Sequence, residues 1–170
     1  MEIHRLGIKF FAADPASIRL EDFIPLFHGW IQRQAVPEHL LIDIHDYSHI
    51  HGGPGILLVA HEGNFSLDMS GGRPGLFYYR KTPAALPLIL KDALGACRLL
   101  EKDARMQFKM DEMLLVANDR LEAPNDDATF AQLKPMLAAA MQEVFPGSFN
   151  LTRVSTDPKE RLTILAQQGK

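Results

Sequence analysis

The chain has a single cysteine, Cys97. No intramolecular disulfide can form, which excludes a disulfide-stapled scaffold and suits a reducing compartment. Long apolar runs are also missing: no stretch reaches the ~18 residues that a bilayer-spanning helix needs. Residues Met1 to Gly7 lack the apolar h-region of a secretory signal. These absences predict a cytoplasmic protein with no membrane contact. Positive charge is scarce as well. The 18 Lys and Arg are outnumbered by 21 Asp and Glu, for a net charge of −3. The densest cationic spot is Arg80-Lys81, too small for the concentrated charge that phosphate-backbone binding requires, so nucleic acid is not an expected partner. There is no internal repeat, no linker-like stretch, no Gly-Lys-Ser/Thr phosphate-loop ending and no nucleophile-elbow signature.

What is present describes a folded domain. Hydrophobic residues make up 46% and charged residues 23% of the chain, the ordinary globular balance. A length of 170 residues predicts one domain spanning 1–170, burying roughly 70% of the unfolded surface. Ile3 to Ala12 reads as a strand. From Asp22 to Gln34, the residues Phe23, Leu26, Phe27, Trp30 and Ile31 recur at helical spacing. Leu40–Ile44, Ile56–Ala60, Phe65–Met69 and Leu76–Lys81 read as strands separated by Gly- and Pro-containing turns. In Phe65–Met69 strict alternation turns Phe65, Leu67 and Met69 inward and Ser66 and Asp68 outward.

A second helix follows Thr82-Pro83, its regular part starting near Pro87 and ending near Arg105, with Cys97 on its apolar stripe. Phe108–Met110 and Met113–Ala117 are expected to pair as a hairpin through Asp111-Glu112. A third helix starts at Pro124 to Asp127 and stops at Pro146-Gly147, with Pro135 expected to kink it. Phe149–Val154 and Arg161–Leu165 close the chain as strands. Strands run in groups, so the predicted fold is α+β: a mainly antiparallel sheet of hairpins and meander, with about three helices on one face.

Chemistry concentrates in one place. His45, His49, His51 and His61, four of the seven histidines, fall within seventeen residues. Imidazole is the commonest metal ligand and the natural acid/base near neutral pH. In an extended chain His45, Tyr47, His49 and His51 share a face, and the His49–His51 pair is ~6.6 Å apart along it. His45, His49 and His51 are therefore the candidate ligands of a divalent transition metal, zinc or iron. His61, Glu62 and Asp68, near strand ends, are the candidates for acid/base catalysis. Arg73, within Gly71 to Gly75, is a candidate fork for an anionic small molecule, and Tyr47 a second ligand contact. The plain alternatives stand beside these readings: an exposed polar loop for the histidines, since Gly52 to Gly55 follow at once, and a hairpin loop for Arg73. Ser66, on the same face as Asp68, invites a triad reading that no surrounding motif supports.

Asp46-Tyr47, His49, Gly53 to Gly55, His61-Glu62, Asp68, Gly72-Arg73, Gly75-Leu76 and Arg80-Lys81, together with Asn118 to Arg120 and Ala123 to Asn125, resemble a small family of uncharacterised bacterial proteins. The resemblance covers about half of the chain. It implies a bacterial origin, implies no activity, and moves weight from the His-x-His pair toward His49, His61, Glu62, Asp68 and Arg73. The expected function is a small-ligand site around the meander, metal-dependent or not. The rival is a non-catalytic homo-oligomer or accessory subunit making contacts through Phe77 to Tyr79 and the first helix. The site reading requires His49, His61, Asp68 and Arg73 to converge in one concavity.

Overall fold

A computed structural model describes residues 5–169. Ile3 and His4, the expected start of the first strand, lie outside the described residues. Eight strands form one antiparallel sheet: β1 (Leu6–Ala12), β2 (Leu41–Tyr47), β3 (Gly55–Ala60), β4 (Gly63–Asp68), β5 (Gly75–Arg80), β6 (Phe108–Ala117), β7 (Phe149–Arg153) and β8 (Leu162–Gln168), in the order β2-β3-β4-β5-β1-β6-β8-β7. Three helices, α1 (Phe23–Arg33), α2 (Leu86–Asp103) and α3 (Asp127–Val144), cover one face. The architecture is the α+β fold that the grouped strands predict.

Each helix forms for a local reason. In α1 the spacing of Phe23, Phe27 and Trp30 puts three large rings on one buried stripe. It ends where Gln34 turns left-handed at φ 46°, and the Gln34 side chain then exchanges two hydrogen bonds with the backbone of Leu41 at the start of β2. In α2, Ile89, Leu90, Ala93, Ala96, Cys97 and Leu100 are buried, with Pro87 in the first turn where its missing N–H is harmless. In α3, the Asp126 carboxylate accepts the Thr129 N–H at 2.7 Å as an N-cap, and Leu133, Leu137, Ala140 and Met141 face inward. Pro135 sits on the exposed side of that helix.

Alternation sorts the strands into two faces. Ile8 and Phe10 of β1, Leu58 of β3, Phe65 and Leu67 of β4, Leu76 and Tyr78 of β5, Leu115 of β6 and Ile164 of β8 pack under the helices. Their neighbours in sequence point to the opposite, helix-free face.

Two expectations about strands are corrected. Phe108 to Ala117 is one ten-residue strand rather than a hairpin. Asp111-Glu112 lacks the Gly or Asn that a two-residue turn needs. The pairing with β1 instead absorbs the extra length as an irregularity between Phe10 and Ala12. β2 also runs on to Tyr47, past the expected end at Ile44. Tyr47 pairs with Gly55, whose φ of +64° and close approach to the Leu67 carbonyl leave no room for a Cβ.

Candidate ligand groove on the helix-free face

An antiparallel sheet packed on one side normally turns a polar face to water. Here that face is partly apolar and concave. Cross-strand partners line up Leu57, Ser66, Phe77, Lys9, Leu114 and Leu165 in one row. The adjacent row holds Asn64, Tyr79, Gly7, Val116 and Thr163. All of these but Leu165 and Gly7 line a groove of about 550 Å³, within the ~300–1,000 Å³ usual for small-molecule sites. Gly52 to Pro54 and Ser70 bound one end, and Asn118 and Arg161 lie at the other. Gly7 is required by this floor: a Cβ there would stand 2.3 Å from Cζ of Phe77, whose ring lies across it.

The two ends differ electrostatically. Lys9 is 3% exposed. Its Nζ donates to Asp68 Oδ2 at 2.8 Å and to the Ser70 carbonyl at 3.1 Å, and Ser70 Oγ donates to the same carboxylate oxygen at 2.5 Å. At this end charge is neutralised within the protein. At the other end Asn118 Nδ2 donates to the Tyr79 hydroxyl at 3.2 Å, and Arg161 Nη1 donates to Asn118 Oδ1 at 3.1 Å. The groove thus offers an apolar floor, neutral amide and hydroxyl groups, and one exposed guanidinium. Ser66 has Leu57 and Phe77 as its cross-strand neighbours. His45 lies two strands away, about 10 Å, so no Ser–His–Asp geometry exists there.

Of the residues predicted from sequence, Asp68 lines the groove. Its carboxylate is occupied by Lys9 and Ser70 rather than orienting a histidine. His61 and Glu62 precede β4 whereas Asp68 ends it, and the strand between spans ~16 Å. His61 is exposed. Glu62 accepts the Leu40 N–H at 2.8 Å. Arg73 does not enter the groove: its guanidinium lies 3.5 Å above the Phe11 ring centroid and pairs with Glu112, which also accepts from Gln167. His45 and Tyr47 share the helix-free face at the edge strand, their ring centroids 6.2 Å apart. His49 and His51 fall in the exposed turn beyond β2, where strand alternation no longer applies. Among the described residues, no group of three or more His, Cys, Asp or Glu is placed to hold a metal ion. His49, His61, Asp68 and Arg73 do not converge.

The side chains expected at an oligomer contact divide between the two faces of the sheet. Phe77 and Tyr79 line the groove, and Phe23, Phe27 and Trp30 of α1 are buried. Exposed large apolar side chains occur at Leu40 and Ile42, beside and on edge strand β2, and at Ile50, Leu88, Leu121 and Val154.

A second polar cluster, on the helix side, centres on the buried His39. Its Nδ1 faces the Pro37 carbonyl at 2.9 Å and therefore carries the hydrogen, leaving Nε2 to accept from the Tyr78 hydroxyl at 2.6 Å. Arg80 Nη1 donates to the Tyr78 oxygen and to Asp92 Oδ2, both at 3.2 Å. Burial pushes the Tyr78 phenol up to about 12, and burial raises the Asp92 carboxyl against the opposing pull of the Arg80 guanidinium. His39, Tyr78, Arg80 and Asp92 each have a hydrogen-bond partner within this cluster, which suits a packed structural network. Sequence reasoning passed over His39 because it lies outside the four-histidine window.

Sequence reasoning also missed Lys9, Asn64, Leu114, Asn118, Arg161 and Thr163. One signal was there: Lys9 is a lone charge inside the apolar strand Leu6–Ala12. No family model matches the chain, and no curated protein matches it.

Proposed function

We propose that the chain binds a small organic molecule non-covalently along the helix-free face of its sheet. The observation that carries this reading is the 550 Å³ groove, floored by Leu57, Phe77, Leu114 and Val116 on a face that water would ordinarily cover. A few placed polar groups around an apolar floor are the usual make-up of a ligand site. Asn64, Tyr79, Asn118 and Thr163 supply donors and acceptors that fix orientation. Binding, rather than metal-dependent or acid/base catalysis, fits the positions of the histidines and the engaged state of Asp68.

The test is a fluorescence titration with N-phenyl-1-naphthylamine, a neutral aromatic probe that brightens on leaving water. Wild type is expected to bind it saturably, and Leu114→Arg to abolish binding with an unchanged far-UV circular dichroism spectrum and cooperative melt. No saturable binding, or equal binding by a folded Leu114→Arg protein, would overturn the proposal.

A further inference from the structure

Resting on the groove reading above, we infer that the groove's natural occupant is an amphipathic organic anion, lying with its apolar body over Phe77, Leu114 and Val116 and its charged group at Arg161. The charge distribution points this way. At the Ser70 end the one cation, Lys9, is buried and matched by Asp68. At the opposite end Arg161 and Thr163 are shared with a second recess of about 370 Å³, which Arg120, Lys159 and Glu160 complete. That recess brings three cations together with one carboxylate.

The guanidinium groups there are held by neutral acceptors. Arg161 donates to the Asn118 amide oxygen, and Arg120 Nη1 to the Lys159 carbonyl at 2.5 Å. Asp119, the nearby acid in sequence, is turned to the backbone N–H groups of Leu121 and Glu122. Each guanidinium has five N–H donors in a planar fork, so most remain for a ligand carboxylate, sulfonate or phosphate oxygen. From Leu114 to Asn118 the groove runs ~13 Å, enough for a ring system or short chain to end at these cations. A neutral ligand would leave that charge unused. A cation would meet repulsion.

Two probes with the same aromatic body separate the inference from the reading beneath it: 8-anilinonaphthalene-1-sulfonate, which carries a sulfonate, and N-phenyl-1-naphthylamine, which does not. Wild type is expected to bind the anion about tenfold more tightly than the neutral probe, the scale of one charge-assisted contact, with the advantage shrinking as salt is raised. Arg161→Glu should remove that advantage, the anion losing about tenfold more affinity than the neutral probe. Equal affinity for both probes, or an anion preference that survives in folded Arg161→Glu and Arg120→Glu proteins, overturns the anionic assignment and leaves the groove reading standing. Failure of both probes to bind wild type overturns the groove reading and the assignment with it. Loss of both probes in an Arg161→Glu protein of unchanged melting temperature also counts against a role confined to the charged group.

Discussion

Lys9 shows how one residue can define a site. It sits between Phe77 and Leu114 on a face where an aliphatic side chain would pack without cost. Its ammonium is buried and satisfied by Asp68 and the Ser70 carbonyl. Breaking such a pair leaves an uncompensated charge, at about 3–5 kcal/mol, whereas replacing both partners by apolar residues is often neutral. Lys9→Met alone is therefore expected to lower stability by about 3–5 kcal/mol, and Lys9→Met/Asp68→Leu to recover most of it. Urea midpoints at constant m-value measure this. A single-variant loss below ~1 kcal/mol would mean that the pair is screened like a surface bridge. Trp30 illustrates the same rule on the helix side: its Nε1 donates to Asp103 at 2.9 Å, joining α1 to the end of α2.

At the level of elements, the helices and β4 were legible because their periods are clean. Phe23, Phe27 and Trp30 repeat at helical spacing, and Phe65 and Leu67 alternate with Ser66 and Asp68. β6 was less so: an interior bulge leaves no local signature, and Asp111-Glu112 looks like a break although Glu112 is held in the sheet by Arg73 and Gln167. The histidine cluster misled for a related reason. Period-two reasoning holds only while the ladder lasts, and β2 ends at Tyr47, before His49 and His51. The groove was illegible because it is built from residues far apart in sequence, one to three per strand. The β1–β5 pairing makes its own prediction. Gly7→Ala should force the Phe77 ring off the floor, since no relaxation of a few tenths of an ångström accommodates a contact of 2.3 Å. Displaced Phe77 ring resonances in proton NMR, and weaker probe binding than wild type, are the expected readouts. An unmoved ring would contradict the packing described for the floor.

Taken whole, the molecule is a sheet with one helix-covered face and one helix-free face, and several carboxylates brace it at distant points. The Asp103 carboxyl is held below its ordinary range by the Trp30 hydrogen bond and by Arg33; Glu112 by Gln167 and Arg73; Asp126 by the Thr129 N–H. A carboxyl with a depressed folded pKa contributes stability above its unfolded value and loses it as pH falls through the folded one. Asp92 runs the other way: burial raises it, so protonation relieves a cost. Glu21, Asp46 and Glu62 are lowered too, so among the described carboxyls six are lowered against one raised; stability is expected to fall as pH drops from about 5 to 3, and Asp103→Asn to flatten part of that fall. Urea midpoints across this range test it; a stability that rises toward pH 3 would contradict it.

The central claim is that the helix-free face holds a ligand. Amide chemical-shift mapping by two-dimensional NMR during titration with N-phenyl-1-naphthylamine tests it most directly. The account predicts saturable shifts concentrated at Leu57, Ser66, Phe77, Tyr79, Leu114 and Val116, with α1, α2 and α3 unmoved. Shifts confined to the helix face, or none at saturating probe, would contradict it.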